Sequence, residues 1–199
     1  MDMEKFTERS RGFLQAAQTI AIREENQRVV PEHLLKALMD DDQGLAANLI
    51  TRAGGDAQAV RRAVDEAVAR LPKVSGGDGQ VYVDSSLVRV MDEAQKIAKQ
   101  AGDSFVPVER VLMALAMVNT RARDALLAGQ VTTQALNAAI NDIRKGRTAD
   151  SASAEDTFEA LSKYARDLTA DAEQGRIDPI IGRDEEIRRT IQVLSRRTK

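Results

Sequence analysis

An internal repeat limits the folds available to this chain more than any other feature of its sequence. Three pairs of segments match at one separation of 77 residues. They are AQTIA (17–21) with AQKIA (94–98), EHLLKAL (32–38) with ERVLMAL (109–115), and Leu49-Ile50 with Leu126-Leu127. Convergent amphipathic patterning is the alternative, but three matches in one register favour a duplication. We expect two copies, about 4–70 and 84–145, that together bury apolar faces neither buries alone.

The spacing of apolar residues predicts that each copy is a four-helix unit. Only 3% of the 199 residues are aromatic, so Ala, Leu, Val and Ile must build the core. Period-3.6 stripes predict eight helices in residues 1–145: about 4–24, 29–39, 44–52 and from Asp56 on, then from Asp84 or Ser85, 107–118, 121–128 and 132–145. The fold class is therefore all-α, a pseudo-twofold repeat, with a loop at 71–80 and a short extended piece at 81–83.

A polar segment follows the repeat domain. KGRTADSASAED (145–156) is rich in small and charged residues, and this composition predicts a flexible linker over 146–156. Beyond it, apolar stripes predict helices at 156–174 and 184–197. We expect 1–145 to be one domain and 157–199 to be the start of another.

Several classes of function are disfavoured by composition. The net charge of -2 gives no basic surface for nucleic acid, and the chain has no cysteine. No run of 18 apolar residues and no signal peptide occur, which favours a cytoplasmic protein. The single histidine, His33, has no partner ligand in sequence, so a structural role and no metal site are expected. No phosphate-binding G-x-x-x-x-G-K-[ST] pattern occurs, so we expect no catalytic residue in this segment.

The best candidate for an interaction surface lies in AKQAGDSFVPVERVL (98–112). Phe105, Val106 and Val108 cluster just before a predicted helix, and Asp103 and Glu109 flank them. Apolar residues rimmed by carboxylates are typical of a shallow binding groove. The alternative is that Phe105 and Val106 only fill the core between helices, and periodicity does not decide between the two.

The doubled unit resembles the N-terminal domain of Clp/Hsp100 proteins. LSKYARDLTADAEQGRIDPIIGRDEEIRRTIQVLSRRTK (161–199) closely resembles the start of the first AAA+ module of the disaggregases in that family. This resemblance covers the whole chain and implies that 157–199 is the opening of that module, without its Walker A loop. It also implies an incomplete adenine-side wall made of Asp178, Pro179, Ile180, Ile181, Gly182 and Arg183. ATP with Mg²⁺ is expected as cofactor of a full-length protein, and none of this segment.

The resemblance further implies that the repeat domain binds unfolded or aggregated polypeptide in an apolar groove. Thr7, Asp103 and Glu109 stand at positions the family associates with substrate handling, and Ile97, Phe105 and Val108 are our candidates for the apolar floor. For a full-length protein it implies an ATPase hexamer and an Hsp70-type co-chaperone in disaggregation under stress. The alternatives are an adaptor-docking domain of a protease-linked relative and, remotely, a helical DNA-binding or regulatory protein. We expect no membrane partner.

Overall fold

The computed structural model describes residues 3–41, 44–74, 81–154 and 182–194. The chain divides into two units, Met1–Phe158 and Glu159–Lys199. The predicted helix at 156–174 and the last two residues of the predicted linker, 155 and 156, lie outside the described residues.

Helices dominate the first unit, which confirms the all-α prediction. A 3-10 helix at Met3–Lys5 precedes the first copy. The first copy contains α1 (Glu8–Arg23), β1 (Arg28–Val29), α2 (Pro31–Met39), α3 (Leu45–Arg52) and α4 (Ala57–Ala69). The second contains β2 (Tyr82–Val83), α5 (Ser85–Gln100), α6 (Val108–Met117), α7 (Arg121–Ala128) and α8 (Thr133–Arg144).

Local capping residues fix where most of these helices begin. Asp56, Asp84, Thr120 and Thr132 each accept a hydrogen bond from a backbone N–H in the first turn of the following helix. Such a bond satisfies one of the four N–H groups that a helix start leaves unpaired. Thr7 does the same for α1, which is why that helix starts at Glu8 rather than near residue 4.

The repeat is visible in the helix positions, with one correction to its register. The first two helices of each copy begin 77 residues apart, but α3 and α7 begin 76 apart, as do α4 and α8. The second copy has one residue fewer between the starts of its second and third helices. Leu49 and Ile50 therefore correspond to Ala125 and Leu126, all of them buried, and not to Leu126 and Leu127. Leu127 is instead 48% exposed.

Short extended segments are exchanged between the two copies. Val29, after the first helix of copy one, pairs in parallel with Val83, which precedes the first helix of copy two. Reciprocally, Phe6, which precedes α1, pairs in parallel with Val106 in copy two. The residues that precede the first helix of each copy therefore pair with a segment of the other copy. The β1–β2 pair confirms the extended piece expected at 81–83.

The core runs continuously through both copies, and one glycine brings them close together. Asp56, the cap of α4, donates its backbone N–H to the carbonyl of Gly129 after α7 (2.8 Å). A Cβ added at Gly129 would lie 2.7 Å from the carbonyl oxygen of Asp56 and closer still to a methyl of Val60. A hydrogen at Cα is therefore required for this approach of α4 to α7.

The segment after α8 differs from the flexible linker that its composition predicts. Over residues 146–154 it lies against the domain: Ala149 and Ala154 are buried. The Ala149 carbonyl accepts from the N–H groups of Ser104 and Phe105 (3.0 Å each), and the Ala152 carbonyl accepts from Glu8 N–H (2.8 Å). We call residues 147–154 the strap. The small polar residues predicted a flexible linker. The strap docks through backbone hydrogen bonds, and amino-acid composition does not reveal such bonds.

In the second unit the described residues form one helix, α9 (Asp184–Leu194). Gly182, just before it, has φ +78°, a left-handed value that favours glycine. Three acidic residues occupy the first turn of α9, where the helix dipole favours negative charge. Ile187 and Ile191 of the predicted stripe are 36% and 58% exposed.

Candidate functional site

A cluster of buried charges lies beneath the turn that carries Phe105. Asp103 is its centre: Arg144 Nη1 donates to both carboxylate oxygens (2.8 and 2.7 Å), and Arg110 Nε donates to Oδ2 (3.0 Å). Glu109 Oε1 lies 3.0 Å from Arg144 Nε. All four residues are at most 9% exposed. We call Asp103, Glu109, Arg110 and Arg144 the charge cluster.

The pKa values of the two carboxylates in the charge cluster are shifted in opposite directions. Burial alone would raise the pKa of Asp103, but hydrogen bonds from Arg144, from the Ala149 N–H and from Arg110 outweigh it and lower that pKa. Burial raises the pKa of Glu109, and the nearby Arg144 charge only partly opposes this. Although Arg144 Nε lies 3.0 Å from Glu109 Oε1, neither Nε nor Nη2 of Arg144 has a hydrogen-bond partner among the described residues. Asp103 is therefore the anchor of the cluster, and Glu109 is its weakly held member.

Thr7 is brought to this region from the other copy by the exchanged pairing. Its backbone N–H donates to the carbonyl of Val106 (3.2 Å), and its hydroxyl accepts from Ser10 N–H (3.2 Å). The side chain is fully buried. Thr7 therefore fixes both the start of α1 and the position of the Phe105–Val106 segment.

The three predicted apolar residues differ in accessibility. Val108, the first residue of α6, is 1% exposed and belongs to the core. Phe105 and Ile97 are only partly buried, and Ile97 packs against the edge of the core on α5. Val106 is 3% exposed. The turn thus combines both sequence-based interpretations: Val106 and Val108 fill the core, while Phe105 is only partly buried.

The first copy has a neutral counterpart of the charge cluster. Asn26 and His33 stand 77 residues before Asp103 and Arg110, and His33 Nε2 lies 2.9 Å from Asn26 Oδ1. Asn26 Nδ2 in turn donates to the carbonyl of Pro72 (3.0 Å), much as Asp103 holds Ala149. Glu32 corresponds to Glu109, but Val68 stands where copy two has Arg144, and burial raises the pKa of Glu32. His33 therefore has the expected structural role: it contacts Asn26, which binds the chain that follows α4 at Pro72.

The first copy also has a cleft, which lies between α1 and α2. Its apolar part is formed by Gly12, Phe13, Ala16 and Ile20. Arg9 at its edge pairs with Asp41 (3.0 Å) and lies over the Phe13 ring, 6.0 Å from the centroid. The charges on this cleft are mixed in sign.

The adenine-side prediction is mostly outside the described residues. Asp178, Pro179, Ile180 and Ile181 fall there, while Gly182 and Arg183 are described and exposed. Among the described residues no group of three or more His, Asp or Glu side chains could hold a metal ion. No helix in the described part of the chain is long and apolar enough to span a membrane.

Sequence reasoning missed the residues that organise the site. Arg110 and Arg144 were not predicted, although Arg110 is in register with His33 at the repeat spacing, which was a usable signal. Arg144 lies 41 residues from Asp103, and no local pattern marks it. The contribution of Ala149 was also missed, because it is made by the backbone.

Comparisons with known proteins relate this chain to one family. The family described as Clp repeat (R) N-terminal domain matches residues 5–130. Chaperone protein ClpB of Agrobacterium fabrum is 61% identical over 201 residues, and that of Mesorhizobium japonicum is 59% identical over 200. Each alignment covers all of this chain and 23% of the relative. The chain therefore spans about a quarter of the length of these relatives.

Solved structures share the fold at low sequence identity. The Hsp104 N-terminal domain from Candida albicans matches with a TM-score of 0.68 and 21% identity, over 75% of this chain and 98% of that one. The N-terminal domain of the ClpV1 ATPase from Escherichia coli matches with a TM-score of 0.59 and 18% identity, over 68% and 83%. These two likenesses show the fold alone.

Proposed function

This chain belongs to the Clp repeat N-terminal domain family, and from that premise we propose that it is the client-binding domain of an ATP-dependent protein disaggregase. It engages unfolded or aggregated polypeptide weakly before the polypeptide is threaded through an AAA+ ring. The name of the similar full-length proteins, chaperone protein ClpB, supports this proposal. The ATPase activity with Mg²⁺, a hexamer, an Hsp70-type partner and a cytoplasmic location are parts of the proposal that concern the whole protein. Asp178 to Arg183 would line the adenine there.

The observation that carries the proposal is the placement of Phe105. The residue is only partly buried, and its backbone is held on both sides: Phe105 N–H donates to the Ala149 carbonyl (3.0 Å) and Val106 N–H to the Lys5 carbonyl (2.7 Å). An aromatic side chain on a fixed backbone loses little conformational entropy when it binds an apolar group. Phe105, with Ile97 beside the core on α5, is our contact surface for clients.

The buried members of the predicted site have a supporting role in this proposal. Thr7, Asp103, Val108 and Glu109 are each at most 9% exposed, so direct contact with a client is small. Asp103 and Thr7 hold the two ends of the Phe105 turn through the charge cluster and the exchanged pairing. They therefore position Phe105 rather than bind the client themselves.

Weak affinity is expected from so small a surface. Burial of one Phe or Leu side chain contributes roughly 1.5–3 kcal/mol. Two or three such contacts contribute roughly 3–9 kcal/mol in total, and the costs of association leave at most on the order of 4–6 kcal/mol. This corresponds to a Kd from about 1 mM to tens of micromolar. Weak binding suits a client that must be released to the ring, and several copies on one assembly would add avidity.

The test is an NMR titration of the whole chain with an unfolded model client. Amide shifts are expected to cluster at Phe105, Ile97 and their neighbours. Phe105→Ser should abolish most of the shift, whereas Leu127→Ser, at a more exposed apolar residue on α7, should leave it intact. Shifts centred elsewhere, or equal losses in both variants, would contradict the site. Tight one-to-one binding of a folded adaptor without any client binding would favour the adaptor-docking alternative.

A further inference from the structure

Residues 149–152 of the strap are held to the domain through their main chain, whereas Arg147 at its start also uses its side chain, which donates to carbonyls of α8. The Ala149 carbonyl accepts two N–H bonds, from Ser104 and Phe105, and the Ala152 carbonyl accepts one from Glu8. The Ala149 N–H donates to Asp103 Oδ1 (2.8 Å). None of these four bonds uses a strap side chain. Whatever chain occupies this position is therefore recognised by its backbone and not by its sequence.

The surface under the strap is ready to bind a peptide. It presents the adjacent N–H groups of Ser104 and Phe105, and the N–H of Glu8 in the first turn of α1, where helix N–H groups lack intrahelical acceptors. It also presents the Asp103 carboxylate as an acceptor, which Arg110 and Arg144 keep oriented without the strap. We call these three donors and one acceptor the peptide track.

Strap side chains add a size limit. Ala149 has no exposed surface and Ala154 is 5% exposed, so at these positions the domain encloses only a methyl group. Asp150, Ser151 and Ser153 are exposed. An occupant therefore needs a small residue at the position of Ala149 and is otherwise unrestricted, which matches a polypeptide of variable sequence.

We propose that the peptide track is a second part of the client site, and that the strap occupies this track and competes with the client for it. An extended client segment with Ala, Gly or Ser at one position displaces residues 149–152 and forms the same bonds with Ser104, Phe105, Glu8 and Asp103. The inference rests on the proposed function, because Phe105 supplies both a track N–H and the partly buried side chain of the client surface. A client thereby binds with its backbone on the track and an apolar side chain on Phe105.

A disulfide lock tests the proposal in the whole chain. The sequence contains no cysteine, and the Glu8 N–H bond to the Ala152 carbonyl places these two residues side by side. Glu8→Cys with Ala152→Cys should close a disulfide that keeps the strap in place. Binding of a fluorescein-labelled extended peptide of Ala, Ser and Leu is followed by anisotropy. Oxidation should weaken binding by at least about tenfold, and reduction of the same sample should restore it.

A second variant should act in the opposite direction. Ala149→Leu has no room for its side chain, so it should expel the strap and strengthen peptide binding several-fold. Amide exchange at Ser104 and Phe105 would report the release, and circular dichroism would report an intact fold. Equal binding by the oxidised and reduced lock, or weaker binding by Ala149→Leu, overturns the track while leaving the Phe105 surface standing. Absence of binding in every variant overturns both proposals.

Discussion

Acidification should destabilise the domain through His33, and the structure gives the sign and the size. The ring is buried, its Nδ1 accepts from the Val30 N–H (3.1 Å) and its Nε2 lies 2.9 Å from Asn26 Oδ1. Only the neutral ring serves both partners, since a protonated ring has no acceptor for Val30. Burial lowers the pKa of His33 to about 4, against a weak opposing effect of Glu24.

The magnitude follows from proton linkage. In the unfolded chain the histidine has its ordinary pKa of 6.5, so between pH 6.5 and 4 the unfolded state binds a proton that the folded state does not. The stabilisation from a neutral His33 is therefore complete above pH 6.5 and is lost as pH falls toward 4. At pH 4.5 the loss amounts to at most about 2.5 kcal/mol in the free energy of unfolding.

Urea unfolding followed by circular dichroism between pH 7 and 4.5 measures this loss. His33→Gln is the matched control, because it keeps a polar side chain and removes the titration. Glu32 and Glu109, whose raised pKa values favour proton uptake by the folded state, stabilise in the same pH range, and the difference between the two proteins cancels them. A difference that does not change with pH would refute the reasoning. His33 is the only histidine, so its NMR signal should also titrate near 4.

Five further substitutions, two of them matched controls, test the packing, the charge cluster and the cap of α1. Gly129→Ala should lower the free energy of unfolding by about 1–3 kcal/mol, because the added methyl group meets α4. Gly12→Ala, which has open space around it in α1, should instead raise the free energy of unfolding by up to about 1 kcal/mol. Equal effects of the two substitutions in urea titrations would contradict the close approach of α4 to α7. Asp103→Asn should cost about 3–5 kcal/mol, because it leaves two buried arginines without their carboxylate. Glu109→Gln, which removes a charge that burial already disfavours, should cost under about 1 kcal/mol in the same assay. Thr7→Val should cost about 1 kcal/mol for the lost cap of α1, and unchanged stability would show that the cap is dispensable.

The helical fold was readable from the sequence because its determinants are local. Apolar spacing and the expected helix start at Asp56 predicted the helices to within a few residues. The start of α1 was placed too early, because Thr7, which caps it, is held by bonds to the carbonyl of Val106, 99 residues away, and no local pattern reports them. The third repeat match was shifted by one residue for a different reason: two leucines in α7 look alike in sequence, and only burial distinguishes them.

The candidate site was predicted only in part. Phe105 and Asp103 drew attention because an apolar turn between carboxylates is visible in sequence. Their partners Arg144 and Ala149 come from α8 and the strap, and long-range ion pairs and backbone bonds leave no periodic signal. The strap in particular has the composition of a linker, and its docking depends on methyl groups and main-chain atoms that any small-residue segment possesses.

The exchange of leading residues has a consequence for how the molecule comes apart. Phe6 completes copy two and Val83 completes copy one, which is the arrangement of a domain-swapped dimer whose two protomers have been joined into one chain. Neither half can be released with its own structure complete. Calorimetry should therefore find a single cooperative transition for the repeat domain, and a chain divided between the copies should recover its fold only when both fragments are mixed.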